Sequence, residues 1–200
     1  AKTAVGLVLL ALAAGAAAGP GPGRRVEVIV SKNAELFGVL ANLTPEWDRA
    51  PGHSPAAVET RRRFLAFREH RAVAMVQSLL QRRNAGSLMK LALRLSDFPE
   101  GRPLQPVGPF FLRPPLGRSV SAVRDFYRDS GFEEFWRERR PVLERRAADC
   151  GNALAAVPIV ETIESFFGTK YDAYALVFAA QADGLRTRDL VPTGRGEQLT

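Results

Sequence analysis

Two segments rich in β-branched and aromatic residues lie far apart in this 200-residue chain. Val26–Val30 reads VEVIV, and Asp172–Ala180 reads DAYALVFAA, which is the composition of a buried strand. A strand needs a partner, and the first run is the clear upstream partner for the second. The sequence therefore predicts either that these two runs pair or that the second run pairs with residues beyond Thr200. In the second case the chain would be the amino-terminal portion of something longer.

The region between the two runs is dominated by apolar residues at helical spacing. Residues typical of N-caps mark four of the predicted helix starts: Asn33, Ser54, Ser87 and Ser119. The predicted helical segments end at Asn42, at about His70, at Arg83 and, before Gly168, at Phe167. In the segments between, the last residues predicted to face inward are Leu95, Tyr127, Trp136 and Cys150. The segment after Ser87 is apolar on more than one side and is predicted to be the most buried helix. The predicted fold class is α+β and predominantly helical, a multi-helix array with a few short strands around 26–31 and 172–180.

The stretch 125–167 combines an aromatic helix face with the densest arginine cluster. Ser130-Gly131-Phe132-Glu133 matches a capping box, and Pro141 predicts a break or kink near Arg140. The residues predicted to face the core are Phe126, Tyr127, Phe132, Phe135, Trp136, Val142, Leu143, Ala147, Cys150, Ile159, Ile163, Phe166 and Phe167. Glu138 and Glu144 alternate with arginines 139, 140, 145 and 146, which predicts a solvated face whose charges pair with each other.

The amino terminus has the pattern of a secretory signal peptide. Lys2 precedes an apolar run from Val5 to about Leu12, and small residues around Ala16–Ala18 fit a cleavage site. The predicted organisation is a signal peptide at 1–18, a flexible lead at 19–25 and a single, incomplete, mostly helical domain at 26–200. The chain is therefore expected to be exported, periplasmic or extracellular, without stable membrane insertion after cleavage. A retained amino-terminal anchor is the alternative, although the apolar run is short for a membrane span.

The segment 98–117 interrupts the helical pattern with prolines at 99, 103, 106, 109, 114 and 115. A long irregular stretch in a compact domain is usually functional or mobile. Its apolar triplet Phe110-Phe111-Leu112 fits packing onto the body, and a substrate-facing loop is the alternative. The sequence does not choose between them.

Catalytic motifs are absent from the sequence: it has no HExxH, GxSxG, P-loop or GxGxxG with an acidic partner. His53 and His70 are 17 residues apart, without carboxylates at metal spacing, and are expected at the surface or as caps. Glu133-Glu134 and Glu161 with Glu164 are weak carboxylate pairs, and Asn33 and Glu35 could face a cleft beside the first strand. The single cysteine, Cys150, is expected to be a small buried residue. No catalytic, cofactor-binding or metal-ligating residue is assigned.

The net charge of +7 raises the possibility of binding to nucleic acid or anionic surfaces. Only four of the 28 basic residues are lysines, and an arginine excess beside many Ala, Gly and Pro residues is typical of GC-rich coding. The aromatic residues near the arginines repeat at core spacing, unlike the exposed rings on which bases stack. We therefore expect no nucleic-acid partner.

Taken in order, several segments resemble a family of exported bacterial proteins, catalogued as a domain of unknown function, with a zincin-like metallopeptidase signature. The matching segments lie between Val26 and Ala180: a strand leading into NAELFGVLANL, then LALRLSDFP, DFYRDSGFEEFWRERRPVLE, ETIESFFG and YDAYALVFAA. The resemblance implies a largely helical α+β region that precedes an HExxH helix, in which two histidines bind zinc and the glutamate is the general base. This chain has no such helix, so no residue role is carried over.

Two main hypotheses follow from these observations. The first is the amino-terminal scaffold portion of an exported zincin-like metallohydrolase, peptidase-like, with zinc bound by residues beyond Thr200 and a peptide or protein as substrate. The second is a non-enzymatic exported helical module that binds a peptide or a surface polymer. A basic protein for anionic surfaces or nucleic acid is a third, weaker alternative.

Overall fold

The two predicted strands pair with each other in parallel in the computed structural model, which describes residues 6–12, 26–49, 53–82, 85–104, 116–170, 173–181, 191–192 and 197–198. Strand β2 (Val26–Val30) and strand β4 (Ala173–Ala179) align Val26 with Tyr174 and Val30 with Phe178. Strand β1 (Gly6–Leu12) pairs antiparallel with the other edge of β4, and β5 (Val191–Pro192) follows it. The sheet order is therefore β2-β4-β1-β5. The short strands β3 (Thr169–Lys170) and β6 (Glu197–Gln198) form a separate pair.

Helices make up most of the described chain, which confirms a predominantly helical α+β fold. Their bounds are α1 Lys32–Asn42, α2 Glu46–Arg49, α3 Pro55–Phe64 with a 3₁₀ turn at Leu65–Phe67, α4 Arg71–Arg82, α5 Ala85–Leu93, α6 Leu116–Asp129, α7 Phe132–Leu154 and α8 Ile159–Phe167. The helix predicted from residue 55 to about His70 is shorter than expected, since it ends at Phe64 and changes to a 3₁₀ turn.

The core surrounds α1, in which every residue from Asn33 to Asn42 is buried. Helices α3, α4 and α5 and strand β4 pack around it. In α5, Leu88, Met89, Leu91 and Ala92 are buried as predicted. However, the prediction that this helix would be the most buried is wrong, because α1 is enclosed by α3, α4, α5 and β4 together.

Three of the four predicted N-caps are wrong. Ser54 accepts a hydrogen bond from the amide of Ala57, as predicted. The cap of α1 is Ser31, whose hydroxyl oxygen accepts from the amide of Ala34, so Asn33 lies inside the helix. Helix α5 begins two residues before Ser87, and α6 begins three residues before Ser119.

The predicted capping box at Ser130 does not form. Gly131 is the residue that precedes α7, with a φ of 66° that favours glycine, and it makes no side-chain cap. The Ser130 hydroxyl is buried and has no hydrogen-bond partner within the described part of the chain. Glu133 bonds instead to Lys32 and Tyr127. Those two partners come from other helices, and their contacts take the place of the local cap.

Of the two outcomes predicted near Arg140, a break or a kink, the break is absent. Helix α7 continues through Pro141 for 23 residues in all. Leu143 and Ala147 are buried as predicted, and a Cβ added at Gly151 would lie 3.6 Å from Val28 Cγ2, so the helix packs closely on β2. We infer that this packing offsets the backbone hydrogen bond that proline cannot donate.

Several side chains predicted to face inward do not. Val142 is 49% exposed and Phe166 is 81% exposed, while Cys150 is half-buried. Ile163 is buried, and α8 ends at Gly168 as predicted, with a φ of 61°. The side chain of Phe167 lies outside the described residues, as do the lead at 19–25 and positions 105–115 of the proline-rich segment. Phe98, at the start of that segment, is buried against Phe37 and Tyr127.

Candidate functional site

A cleft of about 820 Å³ lies where β2 passes into α1. We call it the Lys32 cleft. Its walls are the end of β2 with the first turn of α1, the end of α5 with the turn after it, and the middle of α7. The lining residues are Ile29, Val30, Ser31, Lys32, Asn33, Ala92, Leu93, Leu95, Asp97, Leu104, Glu133, Trp136, Arg137, Arg140, Pro141 and Glu144.

Lys32, Tyr127 and Glu133 form a polar cluster at this cleft. The Lys32 ammonium donates to Glu133 Oε2 at 3.1 Å, to the Tyr127 hydroxyl at 3.3 Å and to the Phe98 carbonyl at 3.2 Å. The Tyr127 hydroxyl donates to the same carboxylate. The Lys32 side chain is only 15% exposed, whereas that of Glu133 is 55% exposed. Three helices, α1, α6 and α7, are joined by this one cluster.

Burial and the contacts within this cluster shift the pKa values of Tyr127 and Glu133 in opposite directions. Burial, reinforced by the hydrogen bond to Glu133 and by that carboxylate's charge, raises the pKa of Tyr127 far above its ordinary value. The hydrogen bond from Tyr127, together with Lys32, lowers the pKa of Glu133. Near neutral pH the phenol therefore stays protonated and the carboxylate stays ionised.

The rest of the cleft carries charges of both signs. Arg140 Nε donates to Glu144 at 2.6 Å, as predicted for this helix face, whereas Glu138 pairs with Arg63 of α3 and not with an arginine of its own helix. Arg137 and Asp97 complete the charged lining. With three cationic and three acidic side chains, the lining has no net charge. A strongly anionic ligand therefore gains little from it, while a ligand with polar groups of both signs fits it well.

Asn33 and Glu35, the two residues considered for a cleft beside the first strand, have different roles. Asn33 lines the Lys32 cleft, but its amide is bonded to the backbone of Ala92, Leu95, Ser96 and Phe98. Glu35 is fully buried and accepts from the amides of Ala180 and Gln181, at the end of β4. Asn33 therefore joins α1 to the end of α5 and the turn after it, and Glu35 joins α1 to the end of β4.

The two histidines have different contacts and do not share a site. The ring of His53 stacks on Trp47 with 3.4 Å between centroids, and its Nε2 lies 2.9 Å from the Trp47 carbonyl oxygen. His70 accepts from the amide of Ala72 through Nδ1, in a capping role at the start of α4. Within the described residues, no three His, Cys, Asp or Glu side chains are grouped in a way that could hold a metal ion.

The predicted carboxylate pairs also separate. Glu133 belongs to the cluster with Lys32, whereas Glu134 is exposed. Glu164 accepts from the Tyr174 hydroxyl at 2.9 Å, while Glu161 borders a shallow depression on α8 with Phe166. In each of the two predicted pairs, the carboxylates therefore have different surroundings.

The aromatic rings of 125–140 are buried, as their spacing predicted. Phe126, Phe132 and Phe135 surround Phe64, with ring centroids 5.1 to 6.3 Å apart. Arg63 and Arg139 lie over Phe135 at 5.3 Å, and Arg63 also pairs with Glu138 at 2.6 Å. These arginines cover the core and are not arranged around stacked, exposed rings.

Sequence reasoning did not single out Lys32 as a site residue, and it assigned Glu133 to a cap. The one local signal was a lysine two positions after the end of an apolar strand, at the first position of a helix. Its partners Tyr127 and Glu133 are 95 and 101 positions away, so no spacing pattern joins them.

Comparison with protein-family models, with curated proteins and with solved structures found no match to this chain. The resemblance to an exported zincin-like family therefore stays a prediction from the sequence. Among the helices that are described, none has both the length and the apolar character needed to cross a membrane.

Proposed function

We propose that this chain binds an extended peptide segment along the outer edge of β2 and in the Lys32 cleft. The observation that carries the proposal is the position of β2. Among the strands that the structure describes, it is the terminal one in the order β2-β4-β1-β5, and its last residues, Ile29 and Val30, line the cleft. Its residues Val28, Ile29 and Val30 are half-buried, whereas the side chains of β4 from Tyr174 to Ala179 are buried. An apolar edge strand of this kind can accept another strand through main-chain hydrogen bonds.

The lining of the cleft supports a peptide over a polyanion. Its side chains supply both donors and acceptors of charge-assisted hydrogen bonds, from Arg137 and Arg140 on one side and Asp97 on the other. Trp136, Leu93 and Leu104 add apolar surface. Main-chain pairing would supply affinity, and these side chains would select among peptide sequences.

A second candidate function is the amino-terminal scaffold of an exported zincin-like metallohydrolase. In support, three segments that carry the resemblance border the cleft or pair with β2: NAELFGVLANL lies in α1, DFYRDSGFEEFWRERRPVLE spans α6 and α7, and YDAYALVFAA contains β4. The peptide bound at β2 would then be a substrate. The zinc ligands would come from residues beyond Thr200, and no catalytic step is assigned to the described residues. Export through the segment 1–18 belongs to both candidates.

Peptide selection tests the first proposal. A phage-displayed library of random linear dodecapeptides would be selected on the purified chain, and the selected peptides would be titrated by calorimetry. Arg137→Glu should weaken binding about tenfold or more, because it reverses a charge in the cleft. Arg145→Glu is the matched control: it is an equally exposed arginine on α7 that does not line the cleft, and it should leave the affinity unchanged.

If the selected peptides bind by pairing with β2 as a strand, their backbone amides provide a second test. N-methylation should abolish binding at alternate peptide positions only, since alternate amides of an extended strand point toward its partner. Equal effects at every position, or equal affinities for the two arginine variants, would contradict the proposal. For the metallohydrolase, an HExxH sequence in frame past Thr200 with bound zinc and chelator-sensitive peptide hydrolysis in the longer protein is the required result.

A further inference from the structure

The segment read from sequence as the apolar part of a leader is a strand inside the sheet. Residues Gly6 to Leu12 pair antiparallel with β4 over its whole length, from Gly6 opposite Ala179 to Leu12 opposite Ala173. On its other side, β1 pairs with Val191 and Pro192. In the sheet order it lies between β4 and β5 and is not a terminal strand. These residues thus have a defined position in the fold as well as the sequence pattern of a leader.

Strand β4 is the element that depends on this pairing. Its side chains from Tyr174 to Ala179 are buried, and it has β2 on one edge and β1 on the other. Without β1, one full edge of an apolar strand would lose its partner. An open edge of that kind is a template for aggregation or for pairing with another chain.

We propose that Gly6–Leu12 is a conformational device with two exclusive states. In the unfolded chain it is free to act as an apolar leader. In a folded chain that retains it, it is locked as a strand, because releasing it breaks the pairing along β4. Folding of the retained form then withdraws the segment and shields the edge of β4. This inference depends on backbone pairing and is independent of the proposed peptide binding.

Residue-resolved amide exchange of the 200-residue chain tests this inference. The chain would be expressed without export, and its intact mass would show that residues 1–18 are present. Successive amides of a strand point to opposite edges, so one alternate set in β4 faces β1 and the other faces β2. Both sets should be protected, together with alternate amides of Gly6–Leu12. Protection of only one set in β4, with rapid exchange throughout 6–12, would overturn the proposal.

A proline substitution adds a second readout. Leu9→Pro, in the middle of β1, removes a strand amide and disfavours pairing with the opposite Leu176. It should speed exchange of the β1-facing amides of β4 by about tenfold or more, while the β2-facing set keeps its protection. Ala16→Pro, outside the strand but within the same leader pattern, should change neither set. Equal acceleration of both sets by Leu9→Pro, or none, counts against the device, and if this variant fails to fold the exchange pattern of the natural chain decides.

Discussion

At the scale of single residues, Asn33 shows how far a local interpretation can be from the actual role. Its residue type and position predicted an N-cap. In the structure its Nδ2 lies within hydrogen-bonding distance of three carbonyl oxygens, those of Ala92 in the last turn of α5 and of Leu95 and Ser96 just after it, and its Oδ1 accepts from the amide of Phe98. The side chain thereby provides hydrogen-bond partners for carbonyl groups at and just after the end of α5. Without it, these groups would be buried and unpaired.

Replacing Asn33 with alanine should cost about 3 kcal/mol of unfolding free energy, because several buried backbone groups lose their partner at once. Urea denaturation, followed by circular dichroism, measures this change. Ser31→Ala is the control. It removes the real cap of α1 and should cost about 1 kcal/mol. Similar costs for the two variants would show that Asn33 contributes no more than a cap.

Whether a residue's role could be predicted depended on the distance to its partners. Ser54 was predicted correctly because its cap involves only the amide of Ala57, three residues on. Asn33 was not, since its partners are 59 to 65 positions away. The ring positions of Phe132 and Phe135 were predicted because burial follows from helical spacing alone.

At the scale of elements, α7 shows tertiary packing overriding a local signal. Pro141 lacks the amide that a helix interior requires, and a break or kink was the reasonable prediction from sequence. Burial of Phe132, Phe135, Leu143 and Ala147 along one face keeps both halves of the helix on the same core. The unfavourable effect of proline on a helix can be read from the sequence. The packing that offsets it cannot, because the sheet on which α7 packs is formed by residues far away in the chain.

Pro141→Ala should therefore stabilise the protein, by roughly 1–3 kcal/mol, since it restores a helical hydrogen bond and a good helix former. The measurement is the free energy of unfolding in urea. Val142→Ala, at the neighbouring exposed position, should change it by less than about 0.5 kcal/mol. A destabilised Pro141→Ala variant would show that the ring makes packing contacts in the Lys32 cleft that outweigh the lost hydrogen bond.

At the scale of the whole molecule, stability should depend on pH through groups whose pKa the fold lowers. Burial lowers the pKa of His70, against the attraction of Asp129, and the hydrogen bond from Tyr127 lowers that of Glu133. When folding lowers the pKa of a group, that group is protonated at a higher pH in the unfolded chain than in the folded chain, so a falling pH favours unfolding. The stability contributed by each group is thus complete above its unfolded pKa and is lost as pH falls through its folded value.

The unfolding free energy should therefore be level near pH 8, decline below about pH 6.5 and decline further below about pH 4.5. His70→Gln should remove the first decline, and Glu133→Gln should reduce the second. Denaturation curves at closely spaced pH values provide the test. A direct proton-NMR titration that placed the His70 pKa above 6.5 in the folded protein would contradict the assignment.

The sequence was sufficient to predict the fold class, because the helical spacing of apolar residues is strong, and it offered the pairing of Val26–Val30 with the run 172–180 as one of two alternatives, which the structure confirms. It was insufficient for the sheet order, since the residues of β1 also carry the pattern of a leader. It was insufficient for the Lys32 cleft as well, because that site joins residues from three helices whose proximity arises only when α1 is enclosed by the rest of the fold.

The parallel pairing of β2 with β4 also has a consequence for synthesis on the ribosome. The partner of Val26 is Tyr174, so the first of these strands leaves the exit tunnel long before the second has been translated. At about 5–20 residues per second, the delay is on the order of ten to thirty seconds. During that time the apolar run VEVIV cannot pair with β4, because β4 has not yet been synthesised. A nascent chain of this protein should therefore be a good client for a holding chaperone until translation has passed residue 180.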